Sequence, residues 1–232
     1  MSRVESKVKT YHLMILDKSG SMETVRDVTI SGLNEQLQSI RKSAKDFDNQ
    51  EQIVCFSTFS NEVDISSVWN KEISKIEDFT RETYNPTGFT ALLDAIGVSV
   101  NKLKEEIKAE LAERKANVIL TIFTDGQENS SHQYNWADIK GLIKSIRESG
   151  QWTVAFIGCG ENVFDVADQM GIEKGNTLRY QAGEEGTQNA FRSMSVARSR
   201  RTESYSDSLD KGLIDTSGIN DSMSFFDESG KD

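Results

Sequence analysis

The sequence is poor in residues that cross-link or constrain a chain: it has one proline, two cysteines and two histidines among 232 residues. Two cysteines cannot supply the disulfide framework of a small secreted domain, and both lie in predicted strands. We therefore expect Cys55 and Cys159 to be free thiols in an intracellular protein. Two histidines also leave no Ser, His and Asp set of the kind that indicates a hydrolase.

The sequence also lacks an excess of positive charge and any long apolar run. Lysine and arginine number 27 against 37 acidic residues, which gives a net charge of −10 and argues against nucleic-acid binding. The longest apolar stretches, such as 118–123, are far shorter than the roughly 20 residues of a membrane span. The polar amino terminus carries no apolar secretory segment. We expect a cytoplasmic protein with no membrane span and no nucleic-acid partner.

What the sequence does contain is an alternation of short apolar runs with longer amphipathic stretches. This order is typical of an α/β fold, with a doubly wound, Rossmann-like, mostly parallel sheet and helices on both faces. The segment 62–69 follows a short turn and is predicted to pair with 52–59 as one antiparallel edge strand. The other predicted strands are 11–16, 118–124, 153–157 and 178–181, and the main predicted helices are 25–47, 91–116, 136–149, 163–170 and 187–200.

The composition changes at residue 202. Residues 202–232 carry eight acidic residues against two lysines, together with seven serines and three glycines. This predicts one folded domain over 1–201 and an acidic, serine-rich, disordered tail over 202–232. Two apolar pairs interrupt the tail, and Leu213-Ile214 or Phe225-Phe226 is the alternative candidate for a short anchor, onto a partner or onto the protein itself.

Several other polar residues are assigned structural roles. His12 lies in a predicted buried strand and is interpreted as a core histidine, and His132 as a solvated loop residue. Arg198, Arg200 and Arg201 lie at the predicted end of the last helix, where positive charge suits the helix dipole. Docking of the acidic tail is the alternative interpretation of these arginines.

The most informative segment is Asp17-Lys18-Ser19-Gly20-Ser21, which directly follows the first predicted strand. In an extended loop, alternate residues point to the same side, so Asp17, Ser19 and Ser21 bring three side-chain oxygens together. Hard oxygen ligands suit Mg²⁺, which proteins usually hold with one or two carboxylates. The loop offers one carboxylate, so we expect a second from elsewhere in the fold.

Asp125 is the candidate for that second carboxylate, because it ends the predicted strand 118–124. In a doubly wound sheet the first strand and the strand that begins the second half are neighbours at the topological switch point, where ligands bind beyond the carboxyl ends. Asp17 and Asp125 are therefore expected to face one crevice. Thr90 lies at the start of a helix that we expect beside this crevice, and it can add a further hydroxyl.

This set of residues resembles the metal-ion-dependent adhesion site (MIDAS) of von Willebrand factor A domains, including small intracellular bacterial members. The family motif is Asp-x-Ser-x-Ser, a distant Thr and a distant Asp, and the matching residues in this sequence are Asp17, Ser19, Ser21, Thr90 and Asp125. The resemblance covers about residues 9–200. It implies a Mg²⁺ site, with Mn²⁺ or Ca²⁺ as alternatives, that takes a Glu or Asp carboxylate of a protein partner as its last ligand. It implies a protein-binding adaptor that is not an enzyme and is monomeric on its own.

One enzymatic alternative stays open. The segment from Asp17 to Ser21 also resembles the aspartyl-phosphate loop of haloacid-dehalogenase-type phosphohydrolases. Asp17 would then attack a phosphoryl group while Mg²⁺ neutralises charge. Two features count against this alternative: Ser19 stands where many members have a general-acid aspartate, and no cap-domain insertion follows the loop.

Overall fold

The computed structural model describes residues 7–66, 68–212 and 224–226. Seven strands form one sheet: β1 (Val8–Asp17), β2 (Gln50–Phe59), β3 (Val63–Ile65), β4 (Lys71–Glu72), β5 (Ala116–Thr124), β6 (Trp152–Cys159) and β7 (Thr177–Tyr180). The α-helices are α1 (Arg26–Asp46), α2 (Leu92–Glu106), α3 (Lys108–Ala112), α4 (Trp136–Glu148), α5 (Val163–Gln169) and α6 (Glu184–Asp210). No helix within these ranges is long and apolar enough to cross a membrane.

The strand order in the sheet is β3-β2-β1-β5-β6-β7, and β4 also pairs with β2. Strands β2, β1, β5, β6 and β7 run parallel to one another, whereas β3 and β4 pair antiparallel with β2. The predicted mostly parallel sheet with an antiparallel edge is confirmed, and that edge is made of two short pieces. The strand order reverses between β1 and β5, so these two strands are neighbours at the switch point, as predicted.

The sheet is buried on both faces, which explains why its strands read as nearly continuous apolar runs. Along β1, Leu13 and Ile15 belong to one apolar cluster, and Met14 and Leu16 belong to the other. The first cluster includes the inner faces of α2, α4 and α5, and the second includes those of α1 and α6. The helices thus cover both faces of the sheet. Cys55 in β2 and Cys159 in β6 are free thiols, as predicted.

The last helix extends farther than the sequence pattern predicts. Helix α6 continues to Asp210, and Thr202, Tyr205 and Ser206 are buried on it. The Asn49 side chain donates to the Ser206 carbonyl at 3.3 Å and to the Asp210 carboxylate at 2.8 Å. The expectation that the tail begins at residue 202 is therefore wrong for 202–210, because these polar residues pack at helical spacing. Leu213-Ile214 lies outside the described residues.

Arg198 is a core residue, not a cap of the helix end. It lies twelve residues before the end of α6 and is 1% exposed. Its guanidinium contacts Gln36 Oε1 at 3.2 Å, Thr121 Oγ1 at 2.8 Å and His12 Nδ1 at 3.0 Å. His12, confirmed as a core histidine, also contacts Gln52 Oε1 at 2.8 Å. Burial, with Arg198 nearby, lowers the pKa of His12 to about 3, so the imidazole is neutral and accepts from Arg198.

Candidate metal centre

The ends of β1 and β5 bring the two predicted carboxylates to one edge of the sheet. Leu16 of β1 lies opposite Phe123 of β5, so the chain leaves the two strands side by side. Asp17 is the last residue of β1, and Asp125 directly follows β5. A hydrogen bond from Thr124 Oγ1 to Asp17 Oδ2, at 2.5 Å, joins the two strand ends. The neighbouring strands therefore account for the proximity of acids that are 108 positions apart.

The loop after β1 brings both serines to these carboxylates. The Ser19 backbone N–H donates to Asp17 Oδ1 at 2.7 Å, and the Ser19 and Ser21 hydroxyl oxygens are 3.1 Å apart. Ser21 Oγ in turn donates to Asp125 Oδ1 at 2.7 Å. The loop does not stay extended as predicted, because a 3₁₀ helix begins at Gly20 and the Met22 N–H bonds to the Ser19 carbonyl at 3.1 Å. The three side chains nevertheless share one side.

Thr90 reaches the same edge from the loop before α2. A β-carbon added to Gly126 would lie 3.1 Å from Thr90 Oγ1 and 3.6 Å from Asp17 Oδ2, so the hydroxyl and the carboxylate both flank Gly126. Asn129 fixes this threonine from both sides. Its Oδ1 accepts from the Thr90 N–H at 2.9 Å, and its own N–H donates to the Thr90 carbonyl at 3.1 Å. All five residues predicted as metal ligands are thus brought together.

The bottom of the site is buried, and its rim is open to solvent. Asp17 is 0% exposed, whereas Asp125 is half-buried and Ser21 is exposed. Burial raises the pKa of Asp17 to about 6, and the charge of Asp125 adds to the shift, against hydrogen bonds from Thr124 and Ser19 that lower it. Burial also raises the pKa of Asp125. The adjacent cation, Lys18, pairs with Asp64 instead, at 3.4 Å.

The donor set fits a hard divalent cation. It combines two carboxylates with three hydroxyl oxygens, the ligand chemistry that Mg²⁺, Mn²⁺ and Ca²⁺ prefer. Within the part of the chain that the structure describes, no group of three or more His, Cys, Asp or Glu side chains comes together. The candidate site instead combines two carboxylates with hydroxyl oxygens of serine and threonine.

Three supporting residues were missed by the sequence reasoning. Thr124 binds Asp17 Oδ2, Asn129 binds the backbone of Thr90, and the Tyr84 hydroxyl donates to the Asp17 carbonyl at 2.7 Å. The position of Thr124, a hydroxyl that ends an apolar strand beside Asp125, was a usable signal. Tyr84 and Asn129 lie in loops, and no local pattern shows that these loops reach the site.

An exposed aromatic side chain lies beside the candidate ligands. Phe89 is 64% exposed, although it directly precedes the buried Thr90. Its N–H donates to Asn61 Oδ1 at 2.7 Å, and the Gly88 carbonyl accepts from the Gly20 N–H at 3.0 Å. The loop is therefore held on both sides while the ring faces solvent.

The sequence matches no protein-family model and no curated protein. The structure resembles several solved structures, each at 12% sequence identity. One is proximal thread matrix protein 1 from the mussel byssus, with a zinc-occupied MIDAS motif; its TM-score is 0.54, and the match covers 83% of this chain and 46% of that chain. The SpRpn10 VWA domain has a TM-score of 0.50, with 79% of this chain and 93% of that chain covered, and the pilus adhesin SpaC from Lactobacillus rhamnosus GG, in an open conformation, has a TM-score of 0.58, with 87% of this chain and 30% of that chain covered. The chain therefore spans less than half of the mussel protein and of the adhesin. At this level of sequence identity the similarity shows only the fold. The chain has a von Willebrand factor A fold.

Proposed function

We propose that this chain is a divalent-cation-dependent protein-binding domain that recognises an acidic side chain of a partner. The observation that carries the proposal is the meeting of Asp17 and Asp125, at the ends of adjacent strands, with three hydroxyl groups on an accessible edge. We propose Asp17, Ser19, Ser21, Thr90 and Asp125 as the ligand set.

The chemistry of the donors supports this proposal. When bound, a divalent ion supplies positive charge that a partner carboxylate can ligate. Three of the five proposed ligands are neutral hydroxyls, so Asp17 and Asp125 supply all of the negative charge that the ligand set places around the ion. The open rim at Ser21 leaves room for an outside ligand. Phe89 offers an apolar contact next to that position, which favours a partner with an apolar residue near its acid.

The type of ion is part of the proposal. The mussel protein is described with zinc in its MIDAS motif, which supports a divalent ion at this position of the fold. The absence of sulfur and nitrogen from the five-residue set favours Mg²⁺, with Mn²⁺ or Ca²⁺ as alternatives. We further propose a monomeric cytoplasmic adaptor that is not an enzyme. Nothing in the described residues favours the phosphohydrolase alternative.

Calorimetry on the purified full chain tests the metal site. We expect Mg²⁺ to bind with one-to-one stoichiometry and the Asp125→Asn variant to lose this binding. Asp165→Asn is the matched control, because Asp165 is an exposed acid of α5. Equal heats from the wild type and from Asp125→Asn would contradict the proposed ligand set.

A capture experiment tests partner recognition. The immobilised wild type, Asp125→Asn and Asp165→Asn chains are incubated with a lysate of the source cells, in Mg²⁺ or in EDTA, and the bound proteins are identified by mass spectrometry. We expect partners that the wild type and Asp165→Asn retain only in Mg²⁺ and that Asp125→Asn does not retain. Retention that is insensitive to EDTA argues for another surface. Mg²⁺-dependent turnover of a phosphomonoester that Asp17→Asn abolishes would instead favour the phosphohydrolase.

A further inference from the structure

A short aromatic segment of the tail is packed onto the domain. Residues 224–226, here called the aromatic segment, follow α6 after eleven intervening positions beyond Gly212. Phe225 is 3% exposed and Phe226 is 9% exposed, and their rings meet edge-on with centroids 5.0 Å apart. Both rings belong to the apolar cluster that α1 and α6 form with the sheet. Of the two anchors considered from the sequence, Phe225-Phe226 thus contacts the protein itself.

The aromatic segment is held through its backbone as well as its rings. The Phe225 N–H donates to Asn176 Oδ1 at 2.7 Å, and the Phe226 N–H donates to the Gly175 carbonyl at 3.0 Å. Asn176 is itself 8% exposed, so its amide oxygen is a buried acceptor directed at the segment. Two successive N–H groups bound in this way fix the register of a peptide, while the burial of its side chains supplies selectivity.

Gly175 leaves the space that the segment occupies. A β-carbon at this position would lie 2.3 Å from Ser224 Oγ and 2.8 Å from Ser224 Cβ, which is closer than nonbonded atoms can approach. Gly175 lies in the 3₁₀ turn Lys174–Asn176, here called the tail-binding turn, and it is not among the glycines with positive φ. An alanine here therefore blocks the segment without imposing a forbidden backbone conformation.

The sequence next to the aromatic segment is acidic, whereas the tail-binding turn begins with a lysine. Lys174 is exposed at the start of the tail-binding turn, with its ammonium 5.8 Å from the centre of the Phe164 ring. In the sequence the aromatic segment is preceded by Asp221 and followed by Asp227 and Glu228. A basic side chain beside the turn favours an aromatic motif with acidic neighbours over a neutral one.

We propose that the tail-binding turn is a second binding site, for short peptides with the pattern Ser-Phe-Phe between acidic residues, and that this chain's own tail is an exchangeable ligand of it. The contact consists of two backbone hydrogen bonds and two rings, and it is tethered by only the eleven residues 213–223. A tether of that length gives an effective concentration of about a millimolar, so the same motif on a free peptide competes with the attached tail. The tail-binding turn precedes the edge strand β7, whereas the candidate metal site lies at the carboxyl ends of β1 and β5.

A peptide-binding experiment tests this proposal. The full chain with Phe225→Ala and Phe226→Ala is titrated into a fluorescent peptide of residues 219–230, with and without Mg²⁺. We expect saturable one-to-one binding that is independent of Mg²⁺. The wild type, whose own tail competes, is expected to bind the peptide about tenfold or more weakly. Adding Gly175→Ala to the double variant is expected to abolish binding. No saturable binding to the double variant, or binding that Gly175→Ala leaves unchanged, overturns the proposal.

Proteolysis of the intact chain gives a second measurement that does not depend on the double variant. Chymotrypsin cleaves after phenylalanine, so cleavage after Phe225 or Phe226 reports release of the segment. We expect slow cleavage in the wild type and faster cleavage in Gly175→Ala. The competitor is an unlabelled 219–230 peptide in which cyclohexylalanine, which chymotrypsin does not cleave, replaces both phenylalanines. We expect this peptide to accelerate cleavage of the wild type. Acceleration in Gly175→Ala but not by added peptide would make the segment a fixed part of the core and would overturn its exchange. A failed Mg²⁺ titration leaves these outcomes unaffected, so the two proposals fail separately.

Discussion

Asp17 combines complete burial with a negative charge, which is costly unless a cation is bound. Its pKa in the folded chain is about 6, above its usual value of 3.8, so the folded state holds a proton more tightly than the unfolded state does. The stability that this difference provides is present below about pH 4 and is lost as the pH rises through about 6. At pH 7 without metal, the charged carboxylate therefore destabilises the fold.

Replacing Asp17 with asparagine is predicted to stabilise the metal-free chain. The asparagine oxygen can accept from the Ser19 N–H, and the charge is removed. The amide NH2 then faces Thr124 Oγ1 and donates to it, while the Thr124 proton turns to the Gly126 carbonyl, which lies 3.2 Å away. We expect the free energy of unfolding at pH 7 in EDTA to rise by about 1–3 kcal/mol, measured by urea denaturation, with a smaller difference at pH 4. In excess Mg²⁺ the order reverses, because only the wild type binds the ion. A variant that is less stable than the wild type in EDTA at pH 7 would contradict this account.

Asn129 is predicted to position Thr90 for the metal without binding it. Asn129→Ala removes the acceptor for the Thr90 N–H, a loss of about 0.5–1.5 kcal/mol. We expect Mg²⁺ affinity to fall about two- to tenfold by calorimetry. Asn189→Ala, at an exposed asparagine of α6, is the control and leaves the affinity unchanged. Complete loss of Mg²⁺ binding in Asn129→Ala would instead make Asn129 a direct ligand.

His12 is predicted to make the stability of the fold sensitive to acid. Its pKa is about 3 in the folded chain, below its usual value of 6.5, so the unfolded chain binds a proton first as the pH falls. The stability from the neutral imidazole is complete above about pH 6.5 and is lost progressively as the pH falls toward 3. His12→Asn keeps an acceptor for Arg198 and cannot titrate. We expect its unfolding free energy to fall less steeply than the wild type's between pH 6.5 and 4, and equal slopes would contradict this role.

Helix α6 shows where a hydrophobic pattern is insufficient to place an element boundary. Its last part, 202–210, contains serines and acids, and only Tyr205 and Leu209 are apolar or aromatic there. Thr202 and Ser206 are buried against Gln50 and Asn49, whose side chains hydrogen-bond to them, and no local signal reveals these contacts. In contrast, the strands were predictable, and so were the amphipathic helices that pack one face against the sheet. In these elements the spacing of the apolar residues shows which positions are buried.

The end of α6 is predicted to contribute to the stability of the domain. Tyr205 is 4% exposed, and Tyr205→Ala removes its buried ring. We expect a loss of about 3 kcal/mol in the free energy of unfolding, measured by urea denaturation. Glu203→Ala, on the exposed side of the same turn, is the control and changes stability by less than about 0.5 kcal/mol. Equal small effects from both variants would show that 202–210 is peripheral to the fold.

In the whole molecule, the candidate site follows from the strand order. The alternation of strands and helices predicted a doubly wound sheet, and that topology makes β1 and β5 neighbours at the switch point. The meeting of Asp17 with Asp125 was therefore predictable from the sequence. The buried contacts of Arg198 and the binding of the aromatic segment at Gly175 were not, because each depends on side chains that the chain brings together only when folded.

The most direct test is an anomalous-scattering map from crystals of the full chain grown with Mn²⁺. The proposed site predicts a single strong peak within about 2.5 Å of side-chain oxygens from several of Asp17, Ser19, Ser21, Thr90 and Asp125, with ordered waters bridging the ion to the others. A map with no peak at the carboxyl ends of β1 and β5, or with the ion bound elsewhere, would contradict it.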